Sequence, residues 1–153
     1  MSLCKVYCHV VMCTKGRVRW IDESWEFELY EAFTSSCEAR GVAVLRINGV
    51  QDHIHALVRM APDMTLSALA RRVKRATSDA ARVHCPPFRW QRGWYVSSVS
   101  ERSLGAVVKY IDAQKQRHST TRAAHTPSSQ KASVICEQEP HSKPSPQAAS
   151  AAE

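Results

Sequence analysis

The chain has 153 residues, 44% of them hydrophobic, with a formal charge of +7 and an isoelectric point near 9.3. That length carries one compact domain with a real core and leaves little for a second. The charge favours a polyanion such as nucleic acid, or an anionic membrane surface, over an acidic protein partner. No run of about 18 apolar residues is present to span a bilayer, and the opening MSLCKVYCHV lacks a leader's small-residue cleavage site. The expectation is a cytoplasmic protein with no membrane partner.

In chain order, residues 4 to 13 alternate as a strand, with Cys4, Val6, Cys8, Val10 and Met12 on one side and Lys5, Tyr7, His9, Val11 and Cys13 on the other. From about 23 to 40 a helical stripe runs through Trp25, Leu29, Ala32, Phe33 and Cys37, with Gly41 as its stop. VAVLRI (42 to 47) is a second strand, followed by a turn within NGVQD, and HIHALVRM (53 to 60) is a third. Residues 64 to 84 read as a helix through Leu66, Leu69, Ala70, Val73, Ala76 and Ala80, N-capped by Thr65. WYVSSVS (94 to 100) makes a fourth strand and residues 101 to 118 a last helix. This β-α-β-β-α-β-α order predicts an α+β, ferredoxin-like split βαβ fold, a four-stranded antiparallel sheet with helices on one face and its other face open.

Composition changes after residue 118. The segment 119–153 has seven serines, four prolines and no Phe, Trp or Tyr, too little apolar area to offset its chain entropy, so a disordered tail is expected there. Its charges cancel, which leaves the whole +7 on the domain at 1–118. The six cysteines, at 4, 8, 13, 37, 85 and 136, lack C-x-x-C pairing and read as reduced small hydrophobes.

The chemistry concentrates in DHIHALVR (52 to 59). Alternation puts His53, His55, Leu57 and Arg59 on one face of the strand, opposite Ile54, Ala56, Val58 and Met60. A single histidine is ordinarily a packing or surface residue, whereas two on one strand face are able to chelate one cation. On this motif alone both readings stay open. In the last helix Leu104, Val107, Val108 and Ile111 form a core stripe, and Tyr110 and Gln114 share its flank; the ordinary reading is a margin tyrosine and a solvated glutamine.

As a set, these segments resemble a known family. HIH at 53 to 55, preceded by Asp52, is similar to the His-hydrophobic-His signature of HUH endonucleases, and YIDAQ at 110 to 114 to the single-tyrosine helix of the insertion sequence 200/605 transposases. HVVMCTKGR resembles that family's first strand, and WQRGWYVSSVS the strand before its catalytic helix. The resemblance implies that Tyr110 is the catalytic nucleophile and that His53, His55 and Gln114 hold one Mg²⁺ or Mn²⁺. It implies a transposase that cleaves and rejoins single-stranded, hairpin-containing DNA through a 5′-phosphotyrosine, acting as a homodimer in which Tyr110 serves its own or the partner's histidines.

Arg71, Arg72, Lys74, Arg75, Arg82, Arg89 and Arg92, against Asp79 alone, form a candidate phosphate-tracking surface, with Trp90 and Trp94 as candidate base-stacking residues. A solvated helix face with core tryptophans accounts for the same pattern. Two other readings remain: a domesticated relative that processes repetitive palindromes, and a non-catalytic ferredoxin-like nucleic-acid binder, for which Tyr110 lies far from His53 and His55. A histidine-triad hydrolase needs a third histidine at position 57, which is leucine.

Overall fold

A computed structural model of the protein describes residues 3–120. From residue 121 onward the expected Ser/Pro/Ala-rich tail lies outside the described residues. The elements are β1 (Tyr7–Cys13), α1 (Glu26–Glu38), β2 (Ala43–Val50), β3 (His53–Arg59), α2 (Leu66–His84), β4 (Tyr95–Val99), α3 (Leu104–Asp112) and α4 (Gln114–Thr120). The four strands form one antiparallel sheet in the order β2-β3-β1-β4. This is the split βαβ arrangement, in which each crossover helix spans a strand inserted between its own two.

One face of the sheet carries Cys8, Val10 and Met12 from β1 and Ile54, Ala56 and Val58 from β3, all buried against α1 and α2. Helix α1 contributes Leu29, Phe33 and Cys37, the residues that its periodicity selects. Helix α2 buries Leu69, Val73, Thr77 and Ala81, a straight i, i+4 row. Leu66, expected in the stripe, is 43% exposed, because the row starts one turn later. Thr65 caps α2 as expected, its hydroxyl accepting from the Ala68 amide.

The polar member of that row has a partner. Thr77 Oγ1 donates to the Val73 carbonyl and accepts the Trp90 indole N–H at 2.8 Å. Trp90 is thereby a core residue, packed edge-on to Phe88, and the expected base-stacking role for Trp90 gives way to a structural one. Lys74 is corrected in the same way. Its ammonium donates to the carbonyls of Gln91, Arg92 and Gly93 at 2.7–2.8 Å and ties the loop before β4 to α2.

The connection between β2 and β3 is tighter than the sequence suggests. Pairing continues from Ala43↔Arg59 to Val50↔His53, with a register shift between Val44 and Arg46, so only Gln51 and Asp52 make the turn. Gly49 permits this. A Cβ there would lie 2.4 Å from the His53 carbonyl oxygen and 2.8 Å from Ile54 Cα, both backbone atoms that cannot step aside. The Asp52 carbonyl then accepts from the backbone N–H and the hydroxyl of Thr14, which fastens the turn to the end of β1.

The second sheet face is not open. Helices α3 and α4 lie across it at β2 and β3, and His53, His55 and Leu57 are buried there together with Val11 and Cys13. The single helix expected over 101 to 118 is preceded by a short 3₁₀ turn at Glu101–Ser103 and interrupted at Ala113 (φ −79°, ψ 0°). Asn48 Nδ2 donates to the Ile111 and Asp112 carbonyls, the groups that i+4 amides would otherwise take. Arg46 grips the Asp112 carboxylate with two bonds of 2.6 and 2.7 Å, and Lys115 pairs with Glu26 of α1. Among the described residues no helix is long and apolar enough to cross a membrane.

Replacing Gly49 by alanine forces the β2–β3 backbones apart next to His53. Overpacking of this kind costs about 1–3 kcal/mol, so Gly49→Ala is expected to lower the urea midpoint accordingly. An unchanged midpoint would show that the hairpin has slack.

Candidate active site

The buried polar face of the sheet gathers residues from four elements. His53 and His55 stand two apart on β3, so both project to the face beneath α3 and α4. Their ring centroids are 5.1 Å apart, and they are 5% and 2% exposed. Tyr110 of α3 presents its ring edge-on to His55, with centroids 5.5 Å apart. One turn on, Gln114 opens α4 and is 2% exposed, not solvated; its amide N–H donates to the Tyr110 carbonyl at 3.1 Å. That bond uses the amide nitrogen and leaves the side-chain carbonyl oxygen as the acceptor end of Gln114.

Two residues join this set without having been singled out from the sequence. His9 of β1 lies 2.9 Å, nitrogen to nitrogen, from His55 Nδ1, and its ring meets Tyr110 at 5.9 Å. His118 of α4 sits with its ring 5.0 Å from that of His53. Each left a trace in the sequence. His118 extends the i, i+4 row of Tyr110 and Gln114 by one turn, and His9 shares a strand face with Val11, whose register partner is His55.

His53 is oriented by its neighbour. Asp52 Oδ1 accepts from His53 Nδ1–H at 2.6 Å, because a carboxylate only accepts, so Nε2 is the ring nitrogen left outside this bond. Arg17 fixes the carboxylate from the other side, with Nε donating to Asp52 Oδ2 at 3.1 Å. To reach it the chain turns through Gly16 and Arg17 at positive φ, 65° and 56°, a conformation that costs energy at a non-glycine residue. Burial alone would raise the Asp52 carboxyl, but the bond from His53 and the nearby charges of His53 and Arg17 outweigh it and hold the group below its ordinary range.

At the centre His55 is held away from its charged form. Burial, followed by the charges of His53, His9, His118 and Arg17, pushes His55 down to about 2. Burial is also the largest cause lowering His9 and His118. A neutral imidazole is a metal ligand, whereas an imidazolium is not. Two imidazole nitrogens and an amide oxygen are a donor set that suits a divalent cation, and Asp52 behind His53 is the kind of outer partner that a ligating histidine usually has. Among the described residues no three His, Cys, Asp or Glu side chains converge as metal ligands.

Residues 2–114 match the family described as "Transposase IS200 like". The chain belongs to the IS200-like transposase family. No curated protein matches it significantly. Among solved structures it is similar to a transposase candidate from Deinococcus radiodurans, at 18% identity and a TM-score of 0.60, covering 74% of this chain and 93% of that one. It is also similar to a REP-associated tyrosine transposase bound to a REP hairpin, at 14% identity and a TM-score of 0.62, covering 77% and 71%. Both share its fold.

The transposase's basic residues fall in two places. Arg71, Arg72 and Arg75 line a groove of about 520 Å³ with Ser36, Ala68, Ala76 and Asp79, on the helical layer away from Tyr110. Arg72 also donates from Nε to the Ser36 carbonyl at 2.6 Å, and Arg82 from Nε to the Phe88 carbonyl. Arg89 and Arg92 are exposed on the loop before β4. That loop is fastened to the His53 end of β1 by the bonds Lys15 N–H to Arg89 O and Gln91 N–H to Cys13 O. Trp94 is partly buried against the core.

A histidine held down to about 2 against an ordinary value of 6.5 makes the unfolded chain bind a proton that the folded one refuses. The stability due to neutral His55 is therefore complete above about pH 6.5 and falls as pH drops, by about 1.4 kcal/mol per unit once well below it. Urea titrations between pH 7.5 and 5.0 are expected to show a steeper decline for the wild type than for His55→Asn. Parallel slopes would contradict the assignment.

Proposed function

We propose that this protein is a metal-dependent transposase that cleaves and rejoins single-stranded DNA, with Tyr110 as nucleophile and with His53, His55 and Gln114 holding Mg²⁺ or Mn²⁺. The observation that carries the reading is the approach of the Tyr110 ring to His55, 5.5 Å between centroids within one chain, in a member of the IS200-like family. A binder that uses only its sheet surface has no reason to bring a phenol against buried, neutral imidazoles.

The chemistry follows from these groups. Tyr110 Oη gives its proton to solvent and attacks the scissile phosphorus, the bond to the 3′ oxygen breaks, and the electron pair leaves with that oxygen, which takes up a proton from solvent, giving a 5′-phosphotyrosine and a free 3′-hydroxyl. His53, His55 and Gln114 would hold the cation, which when bound would supply polarisation of the phosphate and offset charge on the leaving oxygen. Because the tyrosyl ester keeps the energy of the phosphodiester, attack by a second 3′-hydroxyl reverses the step and joins new ends without ATP. Arg117 places its guanidinium carbon 4.8 Å from the centroid of the Tyr110 ring, a cation–π contact that helps to seat the nucleophile. His53, His55 and Gln114 are all 5% exposed or less beneath α3 and α4, so a phosphodiester's entry requires that cover to shift.

Single-stranded DNA bearing a hairpin is the substrate class we infer, supported by the basic charge and by the hairpin held by the structural relative. Arg89 and Arg92, exposed beside the His53 end of the sheet, are the arginines best placed to track the strand near the site. Arg71, Arg72, Arg75 and Arg82 serve a more distant stretch of backbone. Homodimeric assembly is part of this proposal.

Incubation with an end-labelled hairpin-bearing single strand and Mn²⁺ is expected to give a covalent protein–DNA adduct that resists denaturation. Chelation of the metal or Tyr110→Phe is expected to abolish the adduct, whereas Trp90→Phe lowers stability without removing it. An adduct that survives Tyr110→Phe moves the nucleophile elsewhere. None from the wild type, with any divalent ion, favours the non-catalytic binder.

A further inference from the structure

His53 and His55 are both oriented from behind, but by different chemistry. Behind His53 stands the Asp52 carboxylate. Behind His55 stands another imidazole, with 2.9 Å between His9 Nε2 and His55 Nδ1. The two ring centroids are 5.1 Å apart and the ring planes differ by only 19°. That centroid distance is about what the nitrogen–nitrogen contact and the two ring radii add up to. The rings therefore lie edge to edge in nearly one plane, and the shared hydrogen sits on a near-linear N–H···N bond.

One hydrogen lies between the two rings, so its location decides which nitrogen of His55 faces the site with a lone pair. If His9 Nε2 carries the hydrogen, His55 Nδ1 accepts and His55 Nε2–H repels a cation. If His55 Nδ1 carries it, His9 accepts and His55 Nε2 is a ligand. Resting on the metal-dependent reading above, we infer that His9 is a positioning residue that accepts the His55 Nδ1–H and so holds His55 in its ligand tautomer. The strand register supports the assignment. His9 and Val11 share a face of β1, and Val11 is paired directly with His55, so the sheet itself brings His9 diagonally beside that ring. A neutral acceptor in place of a second carboxylate also leaves the site one negative charge poorer. This suits a pocket that must admit a phosphodiester anion.

The test reads metal binding and proton location separately from DNA cleavage. In ¹⁵N-histidine NMR of the Mg²⁺-loaded wild type, His55 is expected to carry its hydrogen on Nδ1; a hydrogen on Nε2 overturns the inference. In Mn²⁺ titrations followed by electron paramagnetic resonance, His9→Phe, which keeps a ring but no acceptor, is expected to bind about 10–100-fold more weakly. His9→Gln, whose amide oxygen can accept, is expected to recover most of that loss. Wild-type affinity in folded His9→Phe overturns the positioning role while leaving the metal-dependent reading intact. Wild-type protein that binds neither ion overturns both.

Discussion

The structure turns on the burial of imidazoles on a β-sheet face. Burying a polar ring without a partner is costly, and this domain meets the cost locally. Asp52 backs His53 and is itself held by Arg17, while His9 backs His55. Among the described residues no buried side-chain nitrogen or oxygen is left without a hydrogen-bond partner. The tight Gln51–Asp52 turn, the positive-φ residues at Gly16 and Arg17 and the close approach at Gly49 all serve to bring these partners within reach.

Much of this was legible in the sequence, because it depends on periods. Strict alternation put His53 and His55 on one face, and a helical interval linked Tyr110 to Gln114. The order of elements led directly to the split βαβ sheet. What periodicity cannot supply is register and cover. Whether His9 meets His55 or stands two residues away depends on the pairing of β1 with β3, a long-range fact with no local signature. The open second face was a reasonable inference from six elements, and it failed because the seventh folds back over them.

The remaining misreadings share a cause. Trp90, Lys74 and Gln114 are amphipathic, and their composition does not reveal which end dominates. Trp90 turned inward because Thr77 offered its N–H an acceptor within the core. Lys74 was drawn into the loop before β4 by three carbonyls. Gln114, taken as solvated on periodicity alone, is buried because the helix breaks just before it. That break is invisible in a sequence that has neither proline nor glycine there. It is made by Asn48, a residue 65 positions earlier that reads as part of a turn.

The interruption at Ala113 also changes what kind of object α4 is. Severed from α3, it is seven residues long, below the length at which an isolated helix holds itself in water. Its winding is owed to what it leans on: Glu26 through Lys115, and the histidine face of the sheet. Of the three ligands proposed above, two thus sit on a rigid strand and one on a segment whose order is conditional. Under the proposed metal-dependent reading, capture of an ion and the coiling of α4 would be a single equilibrium, in which each favours the other.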